Sequence, residues 1–358
     1  MLVLVGALLA ALAADRLPPL DGDVRRRVRG ALAGLGGVAA LGAVILLAAN
    51  AGRVVDEFAG EEVANDPGRF TSLSSNNRSA WWGEAWDVFR ADPLAGAGAN
   101  TFEVARKRYR DLASSVTQPH SVPLQFLAGT GIVGLLLFAA LVAALAAVAV
   151  GAVRAGGDER AAAAALAVAL ALWLVHALVD FPWDFAAVTG PALFAAGALA
   201  AAGRELVLLQ HKLLAAAMVA VGLAAAFAVA TPWLAERSLR EVNPALERGD
   251  LDAAATAAGR ARGLDPLSLA PLYAQGRVAA ARQDEAGERA AHVEAVRLQP
   301  ENPEAWLQLG LLEYDRGDWC AAYRELNRAY TLDPAGLQWS PGGPLDETRE
   351  WVNAGRCG

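Results

Sequence analysis

Apolar and polar positions along the chain separate into long blocks, and the blocks predict helices that cross a membrane. A helix needs about 20 apolar residues, at 1.5 Å of rise each, to span the hydrocarbon core. Residues 31–49, 123–153, 185–203 and 213–235 meet that length. A fifth stretch, 161–179, holds no charged side chain other than the titratable His176 and ends at Asp180. The opening residues 2–14 are apolar but short, and they lack the basic start and small-x-small cleavage context of a signal peptide, so they read as a sixth span. The pattern therefore predicts two spans within 1–49, a polar stretch over 50–121, and four spans within 122–234.

Beyond residue 234 the pattern changes to a repeat. Leu264-Asp265-Pro266, Leu298-Gln299-Pro300 and Leu332-Asp333-Pro334 recur every 34 residues, which is the period of tetratricopeptide helix pairs. In the last unit Trp306, Leu309, Gly310, Gly317, Ala322 and Ala329 fall where that repeat places its large and small residues, so that two antiparallel helices can close on each other. The middle unit carries Glu288 where a small residue is usual, and the helix of the first unit is expected to continue from the last span. Such an array is expected over 235–334, with a tail over 335–358. Two uses are open for it, binding of a protein or glycan partner and plain structure.

Composition supports the membrane reading. The chain is 358 residues long, 55% hydrophobic and only 19% charged, too apolar for a soluble globular protein of this length. Its net charge is -7, and most of that excess lies after residue 234. Nucleic-acid binding is excluded as an expectation, because it needs a dense basic face. Cys320 and Cys357 can form one bridge at most, their pairing is open, and neither sits in a metal-binding spacing; no metal or cofactor is expected.

Orientation follows from short-loop basic residues, which stay in the cytoplasm. Arg16, Arg25, Arg26, Arg27 and Arg29 follow the first span. Alternation then places 50–121 outside, the loop with Arg154 and Arg160 inside, the turn from Asp180 to Asp184 outside, the loop with Arg204 and Lys212 inside, and the repeats outside. The expectation is a multi-pass membrane protein with long loop and repeats extracytoplasmic.

The loop over 50–121 carries the candidate chemistry. Asn76, Asn77, Arg78 and Ser79 precede a helical pattern that puts Trp82, Trp86 and Phe89 on one face, suited to the bilayer interface; for Trp81, Trp82 and Trp86 the alternatives are interface anchoring and stacking on sugar rings. Asp92-Pro93 stops that helix, Gly96, Gly98 and Asn100 provide a turn, and a second helix is expected over 101–113 with Arg106, Lys107, Arg108 and Arg110 in it. That basic run suits either a solvated or headgroup-facing surface or contacts to phosphate. Gln118-Pro119-His120-Ser121 leads into the next span. His176 and Asp180, one turn apart, suit either a pair that packs helices or the lining of a substrate path.

These motifs together resemble a known family. An arginine before a Trp-rich helix, Asp92-Pro93-Leu94 with Gly96 and Gly98, Phe102, His120-Ser121, Leu124-Gln125 and Gly131-Ile132-Val133-Gly134 are similar to the O-antigen ligase and polymerase family of bacterial envelope glycosyltransferases. His176, Leu178, Val179, Asp180 and Phe181 resemble a pattern of members with a tetratricopeptide tail. The resemblance implies a polyprenyl-diphosphate-linked glycan donor, a lipid-linked or glycan acceptor, metal-independent transfer on the extracytoplasmic face, and membrane lipids as surroundings. It places Arg78 and His120 at the catalytic positions. It also covers the C-terminal half of the family's membrane domain, so a truncated form, active once the missing half is supplied, is the expectation.

The residue chemistry agrees with those roles. A diphosphate is already a good leaving group, so the protein has to steady two phosphates and deprotonate an acceptor hydroxyl. Arg78 suits the first task through its bidentate fork, and His120 the second as a base near neutral pH. Arg106, Arg108, Arg110, Trp82, His176 and Asp180 are the candidate substrate contacts. The fold class expected is all-α: a polytopic helical membrane domain with an extracytoplasmic helical loop, followed by a small α-solenoid of tetratricopeptide repeats. The alternative reading is a non-catalytic, membrane-anchored tetratricopeptide scaffold for envelope polysaccharide assembly.

Overall fold

The computed structural model describes residues 77–111, 113–155, 159–201 and 212–357, together with Asp23 and Gly52. The two spans expected within 1–49 and most of 50–76 lie outside the described residues. The chain divides into two compact units, Met1–Ser79 and Ala80–Gly358. Among the described residues the structure is helical, with no strand.

The second unit opens within α1 (Arg78–Ala91). Trp81, Glu84, Ala85 and Val88 share its inner stripe at helical spacing. With Phe102, Val116 and Ala128 the apolar members form a small core. Asp92 and Pro93 end the helix, and the Asp92 carboxylate accepts from the Ala95 amide at 3.2 Å. The helix expected over 101–113 is far shorter. It comprises one turn, α2 (Phe102–Ala105), and a 3-10 turn, Arg106–Arg108. Arg106, where the two turns join, points its side chain inward to Glu84 on α1.

Among the described residues, three helices are long and apolar enough to cross a membrane. They are α3 (Val122–Ala155), α4 (Arg160–Val179), and most of α6 (Lys212–Glu247). Within the stretch expected as a span over 185–203, the described helix α5 (Ala186–Ala201) has 16 residues and contains Pro191. Helices α3, α4 and α5 pack through Ala152, Ala163, Leu170, Trp173, Ala192 and Leu199. Large apolar side chains such as Leu137 and Phe194 point outward, as expected where the solvent is hydrocarbon.

Helix α3 is broken at Gly131, where φ is 63° and ψ is -161°. The loop after α1 uses that break. Ala97 N donates to Ala128 O, Gly98 N to Gly129 O, and Ile132 N to Pro93 O, each at 2.9 Å. The helix carbonyls and amide freed by the break are thus satisfied by the Asp92-to-Gly98 turn rather than left bare in an apolar setting. Both glycines at the contact are required. A Cβ on Gly96 would lie 2.6 Å from the Gly129 carbonyl carbon, and one on Gly131 would lie 2.3 Å from Leu94 O.

Helix α6 runs without interruption for 36 residues, about 54 Å at helical rise, from an apolar stretch into the C-terminal helices. There α6 pairs with α7 (Leu251–Leu264), α8 (Ala270–Ala281) with α9 (Glu285–Leu298), and α10 (Pro303–Asp315) with α11 (Trp319–Leu332), before α12 (Pro344–Asn353). The 34-residue spacing reappears in the turns. Gly249, Gln283 and Gly317 adopt positive φ, and the next residue, Asp250, Asp284 or Asp318, caps the following helix. Glu288 fits among small residues because Arg316 pairs with it at 2.9 Å. Gly310 lets α10 and α11 approach, since a Cβ there would meet Leu326 at 2.8 Å. Cys320 and Cys357 form a disulfide that ties the chain after α12 back to α11.

Candidate functional site

His120 occupies the last position before Ser121 and α3, with a left-handed backbone, φ 51°. Histidine visits that region more readily than most residues, but the conformation has to be held by its surroundings. Here the surroundings are specific. Pro119 before it is fully buried, Trp81 stacks on the imidazole with centroids 4.8 Å apart, and Phe181 presents its edge at 4.4 Å. The Trp82 indole N–H reaches the His120 carbonyl at 3.4 Å.

The polar partner is Asp180. Its Oδ1 lies 3.0 Å from His120 Nδ1 and also accepts from the Phe181 amide at 3.0 Å. The carboxylate sits there because α4 ends at Val179 and Pro182 stops the helix, leaving Asp180 extended beyond the C-terminus. His176, one turn earlier on α4, brings Nε2 to 3.8 Å of Asp180 Oδ2 and is half-exposed. Asp180 thus stands between two imidazoles, one of them from a different part of the chain. A carboxylate on Nδ1 fixes the imidazole's orientation and directs basicity to Nε2, as in base-orienter pairs generally. Nearby, Gln125 binds the Asp184 carboxylate at 3.0 Å, and Gln118 donates to Asn100 at 2.7 Å. Among the described residues no group of three or more His, Cys, Asp or Glu is arranged to hold a metal ion.

Of the residues singled out from the sequence, the structure brings together His120, Asp180 and His176, with Trp82 on the His120 backbone. Arg78 belongs to the first unit and opens α1, directly after Asn77 with φ 65°. The basic run is placed elsewhere. Arg106 is 1% exposed and forked onto Glu84, with Nε at 2.5 Å and Nη2 at 3.0 Å, and also binds Ser114. Arg108 pairs with Glu301. Arg110 forms a bidentate pair with Asp333 at 2.8 Å, both side chains under a tenth exposed. All three guanidinium groups are committed to carboxylates, so their use in this structure is to hold the loop to α1 and to the C-terminal helices. Trp81 and Phe181, which complete the surroundings of His120, were not among the selected site residues. The sequence signals for them are the tryptophan-rich start of α1 for Trp81 and, for Phe181, its place in the His176-to-Phe181 pattern beside Asp180.

Residues 1–139 match the family model described as O-antigen ligase. The matched stretch includes Arg78, Trp81, His120 and the Gly131 break, and it ends within α3. Asp180 and the C-terminal helices lie beyond it. No curated protein matches the chain.

Proposed function

We propose that the chain is a membrane glycosyltransferase of the O-antigen ligase or polymerase type, moving a glycan from a polyprenyl-diphosphate donor to a lipid-linked or glycan acceptor. The observation that carries the reading is the His120–Asp180 pair, held at 3.0 Å under a left-handed backbone, with His120 inside the stretch that matches the family. In this reading His120 Nε2 takes the proton of the acceptor hydroxyl as that oxygen attacks the anomeric carbon. The bond from that carbon to the diphosphate oxygen breaks, and the polyprenyl diphosphate leaves with the electron pair. Asp180 keeps Nδ1–H oriented and steadies the imidazolium that forms. Arg78 is the phosphate clamp, on the strength of guanidinium chemistry and its place in the matched stretch. His176 lines the same carboxylate and stands on the acceptor side of the assignment.

The reading includes a topology and a scaffold. The loop over 50–121 and everything after residue 234 face the extracytoplasmic side of a bacterial inner membrane. The basic residues of the short loops support this, as does a disulfide in the C-terminal region, since disulfides persist in oxidising compartments. The 34-residue helix pairs with their repeated turn and cap are read as tetratricopeptide repeats.

The test is transfer of a labelled polyprenyl-diphosphate glycan in membranes by wild type, His120→Ala and Asp180→Asn. The expected result is loss of transfer in His120→Ala at equal membrane level and a large reduction in Asp180→Asn. Full activity of His120→Ala would overturn the assignment.

A further inference from the structure

A groove of about 710 Å³ runs between the loop and the C-terminal helices, walled on one side by α1, α2 and the turn joining them and on the other by the turn between α9 and α10. Its size lies within the range of ligand sites, roughly 300–1,000 Å³. Asn100 on its wall accepts from Gln118, two residues before His120 in the chain, at 2.7 Å. We infer that this groove is a saccharide subsite, occupied by sugar residues of the transferred glycan or its acceptor; the inference rests on the glycosyltransferase reading above.

The lining suits a neutral sugar chain better than a phosphate or an apolar helix. Its charged groups are one cation, Arg108, and two carboxylates, Asp92 and Glu301; Arg108 pairs with Glu301, which also pairs with Arg328 at 2.8 Å. A phosphate would meet a lining with more carboxylates than cations. The other polar groups are amides and hydroxyls, namely Asn100, Thr101, Tyr109, Gln299 and Asn302. Several are already oriented by the protein: Gln299 donates to Leu267 O at 3.0 Å, and Asn302 donates to Gln299 at 2.8 Å. Among the described residues, Asn100 Nδ2, the Tyr109 hydroxyl and the second Asp92 oxygen take part in no hydrogen bond. They are available for the vicinal hydroxyls of a sugar. Apolar side chains, Val88, Val104, Leu267 and Leu298, alternate with them and offer surface to the C–H face of a pyranose ring. Mixed polar and apolar lining of this kind excludes a purely hydrophobic occupant, since Asn100 Nδ2, the Tyr109 hydroxyl and the second Asp92 oxygen would be buried without partners.

The groove is tested by direct binding to the full chain in nanodiscs. The probe is the saccharide released by mild acid from the polyprenyl-diphosphate glycans of the source organism's own membranes, read by saturation-transfer magnetic resonance. Wild type is expected to bind it. Val104→Trp, which fills the groove, is expected to weaken binding at least tenfold, and Tyr109→Phe severalfold, with folding verified by thermal melting. If Val104→Trp perturbs folding, Tyr109→Phe decides alone. Absence of binding to folded wild type, or equal binding by wild type and both groove variants, overturns the proposal. Binding that these variants weaken, in a protein that transfers no glycan, upholds the groove while the glycosyltransferase reading fails.

Discussion

Replacing Gly131 with alanine tests whether the break in α3 is a built feature of the fold. The residue sits at φ 63° and ψ -161°, a region open essentially to glycine alone, where another residue costs about 1–3 kcal/mol. The added Cβ would also lie 2.3 Å from Leu94 O and 2.8 Å from Ala95 N. Those are backbone atoms of the turn that satisfies the broken helix, so relief requires the turn to move, at a further cost of about 1–3 kcal/mol for overpacking. The sum is about 2–6 kcal/mol. Gly151→Ala, in the same helix with nothing within 4 Å of its Cβ, is the control and should gain up to about 1 kcal/mol from helix propensity. Thermal unfolding of the full chain in detergent or nanodiscs reads both. The expected result is a midpoint lowered by several degrees for Gly131→Ala and unchanged or raised for Gly151→Ala. A Gly131→Ala midpoint equal to wild type would refute the account of how the loop is anchored on α3.

Other consequences follow from the buried charges. Glu84→Ala leaves Arg106 uncompensated in the loop core, so it should destabilise by about 3–5 kcal/mol, measured by the same melting. Arg110→Ala and Asp333→Ala should be non-additive in a double-mutant cycle, with a coupling of about 0.5–3 kcal/mol; strict additivity would show that the pair does not hold loop to helices. The Tyr273 phenol is pushed well above its ordinary value of 10.0, first by burial and then by the negative charge of Glu304. A raised folded value means the protonated phenol contributes stability that is present below pH 10.0 and declines as pH rises above it. The melting difference between wild type and Tyr273→Phe should therefore move against wild type above that pH and be flat below it.

Much of the architecture was legible because it is periodic. Apolar blocks of about 20 residues marked the ends of α3 and α4 to within a few residues. The 34-residue spacing of the Leu-x-Pro turns anticipated helix pairs whose caps, at Asp250, Asp284 and Asp318, repeat at the same interval. What sequence spacing hides is pairing across distance. His176 and Asp180 are visible as one helix turn, yet the shorter contact of Asp180 is to His120, sixty residues away. The run from Arg106 to Arg110 looks like a single cationic surface when read linearly. Folding sends its arginines to three separate acids, Glu84, Glu301 and Asp333; for the buried Arg106 and Arg110 a carboxylate partner offsets the cost of burying the guanidinium. The motif Gly131-Ile132-Val133-Gly134 likewise reads as part of a continuous span. Only the approach of Leu94 and Gly96 shows why its first glycine carries a positive φ.

The central claim is that His120, oriented by Asp180, acts as the base in glycan transfer. The most direct measurement is the pH dependence of transfer from a labelled polyprenyl-diphosphate glycan in membranes, comparing wild type, Asp180→Asn and His120→Ala at matched, folded levels. The account predicts activity in wild type that rises with pH through the range of a histidine, a reduced rate with a displaced profile in Asp180→Asn, and none in His120→Ala. Transfer by His120→Ala with the wild-type rate and pH profile would contradict it.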